Sequence, residues 1–264
     1  NLIRSHYDRW IVGSDQIWRL RYTSFLAKSI IFLNFLSEEE RKRSFSYAAS
    51  FGTDEWEGSP EETEKYSLLL KQFKSVSVRE HSGITICKKE FGVDAVQLPD
   101  PTLLLKTDDY EAIITAEKVL SPERSYLAAY LLYSSTEHQP LLLSMGKRLH
   151  LPVQQLTPCA TAKFRERFPI SVAQWLCYIR NASYLITDSF HGCVFAIIFN
   201  IPFVCLGNNY QDVARFNTLL KIFGLENRLP TDHSTSKIEE ILSNPIDWEY
   251  VNNIHDSERS RGID

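Results

Sequence analysis

The feature that most constrains the fold is the alternation of short apolar runs with helix-like segments along nearly the whole chain. The runs that predict strands are 10–12, 44–50, 75–78, 94–98, 126–132, 152–156, 183–187 and 202–206. The segments that predict helices are 60–73, 82–92, 108–118, 138–150, 171–181, 190–200 and 213–224. Because this alternation favours parallel sheets covered by helices on both faces, we predict an α/β fold.

The chain is long enough, at 264 residues, for two domains that each bury a core. A fresh series of strands and helices begins after SPERS (121–125), a segment typical of a linker. We therefore predict an N-terminal domain over 1–120 and a C-terminal domain over 121–264.

Composition and charge exclude several classes of partner. A net charge of -4 without a basic arm or face gives no electrostatic case for nucleic acid. The longest apolar stretch, Cys193 to Leu206, is interrupted by Asn200 and Pro202 and is shorter than the ~20 residues of a membrane span. No basic amphipathic helix is evident, so membrane contact would at most be peripheral.

The five cysteines are scattered, and no pair has the spacing of metal ligands. Three of them, Cys177, Cys193 and Cys205, lie in apolar segments, where a buried free thiol is expected. This usage favours a reducing, cytoplasmic location. The sequence contains no Walker motif, G-x-G-x-x-G or nucleophile elbow, and we expect no metal and no cofactor.

Polar segments follow the predicted strands, where ligands bind in open parallel sheets. They are GSD (13–15), SYAASFG (46–52), REHSG (79–83), LPDPT (98–102) and TDSFHG (187–192). These five segments are the candidate functional site.

In TDSFHG the strand should end near Thr187, and Asp188 or Ser189 can cap the next helix. His191 then lies in the first helical turn, where free N–H groups and the helix dipole favour anions and a neutral imidazole. The alternative is that Asp188 and Ser189 only cap the helix and that His191 packs. Spacing alone does not decide between these interpretations.

In VGSDQIW, Gly13 makes a turn and places Ser14 and Asp15 at a predicted helix start. Helix capping alone would explain both side chains. Trp18 is expected to be a core residue rather than a platform for a sugar ring.

Two arginines are suited to binding a carboxylate or phosphate. Arg79 follows a predicted strand, and the alternative for it is a local ion pair with Glu80 or Asp100. Arg215 lies at a helix start, where its charge opposes the dipole and indicates a negative partner or ligand. Asp100 lies between two prolines that hold its loop rigid, which is as often structural as catalytic.

Taken together, these segments resemble the polysaccharide pyruvyl transferase family over roughly residues 8 to 228. The segments that carry the resemblance are WIVGSDQIW, SFSYAASFG, SVREHSG, LPDPTLLL, TDSFHGCVFAIIFNIPFV and ARFNTLLKIFGLENR. The resemblance implies two Rossmann-like domains similar to the GT-B glycosyltransferases, with the active site in the cleft between them. It also implies transfer of the enolpyruvyl unit of phosphoenolpyruvate to two sugar hydroxyls of a polysaccharide or a lipid-linked precursor, giving a pyruvate ketal and phosphate without nucleotide sugar or metal.

The resemblance also implies roles for the candidate residues. His191 would be the general acid or base, assisted by Asp188 or Asp15. The residues expected to bind substrate are Arg79, Ser189, Arg215, Ser14, Gly13 and Asp100. Many members have an arginine at the position of Ser189, so in this DSFHG variety a donor-binding role of that arginine must pass to Arg79 or Arg215.

Family members usually begin with a glycine-containing strand and helix before the VGSD segment, and they end in a longer C-terminal helix. Neither is recognisable in this sequence, so we expect a fragment. Two rival functions remain open: a GT-B glycosyltransferase that uses a nucleotide sugar, and a non-catalytic glycan-binding relative. No clear E-x7-E pattern supports the first of these rivals.

Overall fold

The computed structural model describes residues 7–24, 27–122, 125–132, 138–156, 170–207 and 213–263. The chain divides into two compact units. The first unit comprises Asn1–Leu104, Gln211–Thr218 and Glu258–Asp264. The second unit comprises Leu105–Tyr210 and Leu219–Ser257. The chain therefore enters each unit more than once, which a single predicted boundary near residue 120 does not describe.

Eight short strands form the sheets. They are β1 (Trp10–Val12), β2 (Ser44–Ser46), β3 (Ser77–Val78), β4 (Val96–Gln97), β5 (Leu127–Tyr130), β6 (Val153–Gln155), β7 (Tyr184–Thr187) and β8 (Phe203–Cys205). Every predicted strand contains one of them, so the apolar runs identified the strands of the described residues correctly.

Ten α-helices lie within the described residues. They are α1 (Glu38–Arg41), α2 (Pro60–Leu70), α3 (His81–Ile86), α4 (Thr107–Ala116), α5 (Gln139–Leu149), α6 (Val172–Arg180), α7 (Phe190–Ile198), α8 (Ala214–Ile222), α9 (Thr235–Ser243) and α10 (Trp248–Ile263). Shorter 3-10 turns cover Leu20–Tyr22, Ile30–Phe32, Pro101–Leu104 and Glu226–Arg228, and a π turn, Cys87–Phe91, extends α3.

The first unit has a parallel arrangement in chain order. β1 pairs with β2 and β3 pairs with β4, both parallel, and the bridges Phe45↔Ser75 and Ala49↔Val78 join the two pairs. The carboxyl ends of all four strands consequently meet at one edge. Trp18 packs in the core of this unit, only 1% exposed and stacked 5.7 Å from Phe32, which confirms its predicted core position.

The second unit contains a four-stranded parallel sheet in the order β6-β5-β7-β8. From β5 the chain passes to β6 on one side and then returns to form β7 on the other side of β5, so the strand order reverses between β5 and β7. Ligands bind at such a reversal, outside the carboxyl ends of the strands. Helix α4 belongs to this unit because Thr107 donates to Ile198 O (2.8 Å) and Glu111 pairs with Arg180 (2.7 Å).

The helix start predicted at Ser14 and Asp15 is wrong: the chain forms a turn there, and Asp15 has a φ of 47°, which a right-handed helix excludes. A C-terminal helix was not recognised in the sequence, and the structure contains one, α10, of 16 residues. Cysteines 177, 193 and 205 are buried free thiols as predicted.

Candidate active site

In the first unit, four of the predicted site residues converge at the carboxyl ends of the strands. We call Ser14, Asp15, Arg79 and Asp100 the arginine–aspartate cluster. Ser14 and Asp15 follow β1, Arg79 follows β3, and Asp100 lies beyond β4. Because these strands are parallel and adjacent, their loops emerge on the same side, which brings residues from three loops into contact.

Arg79 is the centre of this cluster. Its Nη1 lies 2.7 Å from Asp100 Oδ2, and its Nη2 lies 3.1 Å from Asp15 Oδ1. Arg79 and Asp100 are 3% and 2% exposed, whereas the side chain of Asp15 is 66% exposed. The guanidinium thus holds one buried and one accessible carboxylate at the same edge of the unit.

Asp100 is bonded on both oxygens. Its Oδ1 accepts from the backbone N–H and the hydroxyl of Thr102 (3.1 and 2.7 Å), and its Oδ2 accepts from Ser14 Oγ (3.3 Å) as well as from Arg79. The ion pair with Asp100 is one of the two alternatives that the sequence left open for Arg79. One arginine and two aspartates give the cluster a formal charge of -1, which suits hydroxyl-bearing ligands better than a phosphate.

Gly13 shapes the turn that carries Ser14 and Asp15. Its φ is 134°, and a Cβ on it would lie 2.1 Å from the carbonyl oxygen of Tyr47. Only glycine fits this close approach of the β1 turn to the segment after β2. Ser14 Oγ then donates to Ala48 O (2.8 Å), which fixes the turn from its other side.

Glu80 lies within the REHSG segment of the candidate site, where the sequence analysis named it only as a possible ion-pair partner of Arg79. It follows Arg79 directly and is fully buried. Burial raises the pKa of its carboxyl, although Arg79 and hydrogen bonds from the segment after β2 oppose that effect. A charged residue next to an apolar strand was the available signal, but sequence alone cannot distinguish a buried carboxyl from an exposed one.

Arg215 also belongs to the first unit and is 6% exposed. It is the second residue of α8, as predicted, and its guanidinium lies over the ring of Phe216, 5.2 Å from the ring centroid. Thr218, one turn further along the same face, accepts a hydrogen bond from His81 N at 3.2 Å. These contacts place the start of α8 beside the start of α3, immediately after Arg79 and Glu80.

In the second unit, the segment from Asp188 to His191, which we call the histidine turn, connects β7 to α7. Ser189 is the N-cap of α7, and its side chain accepts from Gly192 N at 3.3 Å. His191 is therefore in the first helical turn, as the sequence predicted, and it is half-buried. Its position at the positive end of a nine-residue helix favours nearby negative charge.

Asp188 is fully buried and holds the two strands at the reversal together. Its Oδ1 accepts from Leu132 N at 2.6 Å, while Thr187 Oγ1 donates to Tyr130 O at 2.7 Å. Tyr130, at the end of β5, is a residue that sequence analysis missed. Burial, reinforced by the negative charge of Asp188, raises its pKa, so its phenol remains a hydrogen-bond donor.

The histidine turn packs closely against the strand that precedes it. A Cβ on Gly192 would lie 2.3 Å from Thr187 Oγ1 and 3.0 Å from Thr187 Cβ. Ser189 N also donates to Thr187 Oγ1 at 3.1 Å. The glycine of the FHG sequence consequently lets the start of α7 approach the end of β7, which determines where His191 lies.

The structure thus brings the predicted site residues together in two groups, one in each unit. The first combines an accessible carboxylate with a buried ion pair, and the second combines a half-buried imidazole with a helix N-terminus. Carboxylate and hydroxyl oxygens accept hydrogen bonds from sugar hydroxyls, and an imidazole can transfer a proton. The expectation that both groups face one cleft stays a prediction.

Comparison with known proteins identifies the family. A model of the polysaccharide pyruvyl transferase family matches residues 6–210. This match covers well over half of the sequence, so the chain belongs to the polysaccharide pyruvyl transferase family, whose members are transferases that act on polysaccharides. The matched range includes the arginine–aspartate cluster, Glu80 and the histidine turn, and it ends before Arg215.

No protein of curated function matches the sequence. Among solved structures, the chain is similar to the glycotransferase of kitacinnamycin, with 9% identity over 91% of this chain and 80% of that chain. The TM-score of 0.39 is too low for this likeness to support an argument. The fold that stands on the observed topology is a mixed α/β structure with parallel sheets.

None of the helices in the described ranges is both long enough and apolar enough to cross a bilayer. Within the same ranges, no three His, Cys, Asp or Glu side chains are grouped as ligands of a metal ion.

Proposed function

We propose that the protein transfers the enolpyruvyl unit of phosphoenolpyruvate to two hydroxyls of a sugar in a polysaccharide or its precursor. The product is a cyclic pyruvate ketal, and phosphate is released. The observation that carries this proposal is the family match over residues 6–210. Two Rossmann-like domains of the GT-B kind are part of the same proposal, supported by the parallel strand order in each unit.

The proposed reaction needs two kinds of proton transfer. The methylene carbon of the donor gains a proton and becomes a methyl group, while two C–O bonds to the sugar form at the neighbouring carbon and its bond to the phosphate oxygen breaks. Two sugar hydroxyls lose their protons. One proton is matched by the proton that the new methyl group gains, and the other is taken up by the released phosphate. Groups that hold and deliver protons are therefore the main requirement of the site.

We assign proton transfer to His191, because it is half-buried in the first turn of α7. We assign the acceptor hydroxyl to Asp15, whose carboxylate is accessible and is held in place by Arg79. Asp188 is the buried first residue of the histidine turn and accepts a hydrogen bond from Leu132 N, so its assigned role is to orient that turn. A positioned general acid or base contributes about 10²–10⁴-fold to such a reaction.

The donor carries a carboxylate and a phosphate, which need positively charged or N–H-rich partners. We assign the donor to arginine, with Arg79 and Arg215 of the first unit as the candidates. The N-terminus of α7 at Ser189 stays a prediction. Ser14, Gly13 and Asp100 shape the arginine–aspartate cluster and are assigned to acceptor binding through it.

Phosphate release from phosphoenolpyruvate tests the proposal, measured with galactose-, glucose- and mannose-containing acceptors. Phosphate release that depends on the acceptor and is lost in His191→Gln supports the proposal. The matched control is His233→Gln, which changes an exposed histidine of the same unit. Thermal stabilisation by UDP, GDP or CMP sugars, with none by phosphoenolpyruvate, would instead indicate a nucleotide-sugar transferase. Saccharide binding with no phosphate release would indicate a glycan-binding relative.

A further inference from the structure

Glu80 is a fully buried carboxyl that accepts hydrogen bonds from the segment after β2. Its Oε1 accepts from Phe51 N at 2.6 Å, from Gly52 N at 3.1 Å and from Ser50 Oγ at 3.1 Å. Ser50 Oγ in turn accepts from Gly52 N at 3.0 Å. One carboxylate oxygen therefore gathers three donors from three consecutive residues.

The same segment is bonded to the turn that carries Asp15. Ser50 N donates to Asp15 O at 2.9 Å, and Ser50 O accepts from Trp18 N at 3.1 Å. Ser50 consequently lies between Glu80, which it contacts through its hydroxyl, and the Asp15 turn, which it contacts through its backbone.

Asp15 needs such support, because its conformation is unfavourable on its own. Its φ of 47° lies in the left-handed region, which costs energy for a residue with a side chain, and its side chain is mostly exposed. Arg79 holds its carboxylate, and the Ser50 backbone holds its carbonyl oxygen. Arg79 and Glu80 are consecutive residues. Arg79 therefore acts on the side chain of Asp15, while its neighbour Glu80 acts on the backbone of Asp15 through Ser50.

We propose that Glu80 is a positioning residue of the arginine–aspartate cluster: it fixes the Ser50–Gly52 segment and, through Ser50, the backbone of Asp15. This inference rests on the proposed function for its catalytic consequence, but its structural part stands on the contacts alone. Glu80 does not touch substrate in this account. It acts by keeping the accessible carboxylate of Asp15 at one place.

The first test uses amide hydrogen exchange and needs no activity. In Glu80→Ala, the amides of Ser50, Phe51, Gly52 and Trp18 should exchange faster than in the wild type. Glu80→Gln should keep them protected, because its amide oxygen can still accept all three hydrogen bonds. Ser50→Ala removes only the hydroxyl link and should give a smaller change at the same amides, which keeps the test usable if Glu80→Ala fails to fold. The proposal would be overturned if the amides of Ser50 and Trp18 exchanged in Glu80→Ala at the wild-type rate. If Glu80→Ala does not fold, the same result in Ser50→Ala would overturn it.

The second test is a double-mutant cycle on turnover with phosphoenolpyruvate and an acceptor. Glu80→Ala should lower kcat about 10- to 100-fold, as misplacement of a catalytic group does, with the KM for phosphoenolpyruvate little changed. In an Asp15→Asn background the same change should have little further effect, because the group that Glu80 positions is already lost. Glu80→Gln should restore most of kcat.

The matched control is Ser67→Ala, which removes a hydrogen bond to Phe91 O (2.8 Å) elsewhere in the same unit. Its effect should be additive with Asp15→Asn. Additive effects of Glu80→Ala and Asp15→Asn would overturn the positioning role. If no variant and no wild-type protein releases phosphate, the proposed function fails, while the exchange experiment still decides the role of Glu80.

Discussion

At the scale of single residues, the first unit contains two buried acids, Asp100 and Glu80, whose negative charges are compensated to different extents. Asp100 is neutralised by Arg79 at 2.7 Å and is bonded on both oxygens. Glu80 accepts three hydrogen bonds on Oε1, but its Oε2 is buried with no hydrogen-bond partner among the described residues. Asp100 therefore stabilises the buried guanidinium of Arg79, whereas burial destabilises the ionised form of Glu80.

This difference predicts how stability depends on pH. The folded-state pKa of Glu80 is raised above its ordinary value of 4.5, so the folded protein keeps a proton that the unfolded chain has lost. Between these two pKa values, the contribution of Glu80 to the free energy of unfolding falls as pH rises, by at most about 1.4 kcal/mol per pH unit. Glu80→Gln removes this contribution, so its stability relative to the wild type should increase as pH rises above 4.5.

Urea unfolding of both proteins at several pH values measures this difference directly. Glu64→Gln, which changes an exposed glutamate on α2, is the matched control. A constant difference between Glu80→Gln and the wild type across the pH range would contradict the raised pKa.

The buried ion pair of Arg79 and Asp100 leads to a second prediction, which concerns the free energy of unfolding. Asp100→Ala leaves a buried guanidinium without its closest carboxylate, which should lower the free energy of unfolding by about 3–5 kcal/mol. Asp94→Ala removes an exposed ion pair with Lys88 and should have no measurable effect in the same urea titration. Equal effects of the two substitutions would show that the buried pair contributes no more than a surface pair.

At the scale of elements, the histidine turn depends on the cap of α7. Ser189→Ala removes the acceptor for Gly192 N and should lower stability by about 1 kcal/mol. Ser234→Ala removes the matching cap of α9, where Ser234 Oγ accepts from Lys237 N at 3.4 Å, and should cost a similar amount. Only Ser189→Ala should also reduce turnover, because only that cap holds His191; equal turnover in the two variants would contradict this role.

Most elements of both units could be predicted because their sequence signals are local. Apolar runs identified the strands, and the helix α2 was found from the proline and acids of its first turn, which the structure confirms with a capping box at Ser59. Helix α10 was missed because it is largely polar and buries only Val251 and His255. Its stability comes from contacts far along the chain, such as Arg259 Nε donating to Leu104 O at 2.8 Å.

The candidate site was predictable only in part, for the same reason. Strand ends indicated Arg79, Asp100 and His191, because parallel strands collect ligand-binding residues at one edge. The pairing of Arg79 with Asp15 was not predicted, because Ser14 and Asp15 were expected to start a helix and instead form a turn. Glu80 could not be recognised, because its burial results from the Ser50–Gly52 segment folding over it.

At the scale of the whole molecule, the division of the chain into units is not sequential. The last residues return to the first unit, where Tyr47 Oη donates to Gly262 O at 3.1 Å and Arg261 Nη2 donates to Gln97 Oε1 at 2.8 Å. Gln97 Nε2 then donates to Arg79 O at 3.1 Å. The end of α10 is thereby linked to the backbone of the arginine–aspartate cluster, so sequence distance is a poor guide to which residues support the site.

At the scale of the whole protein, the proposed pyruvyl transfer is tested most directly by following the pyruvyl carbon from donor to product. Phosphoenolpyruvate labelled with ¹³C at its methylene carbon is incubated with the protein and a saccharide acceptor, and the products are examined by NMR. We predict a labelled ketal methyl group on the saccharide, one phosphate released per ketal, and neither product in His191→Gln. Label that remains in phosphoenolpyruvate or appears only as free pyruvate, while a nucleotide sugar glycosylates the same acceptor, would contradict the account.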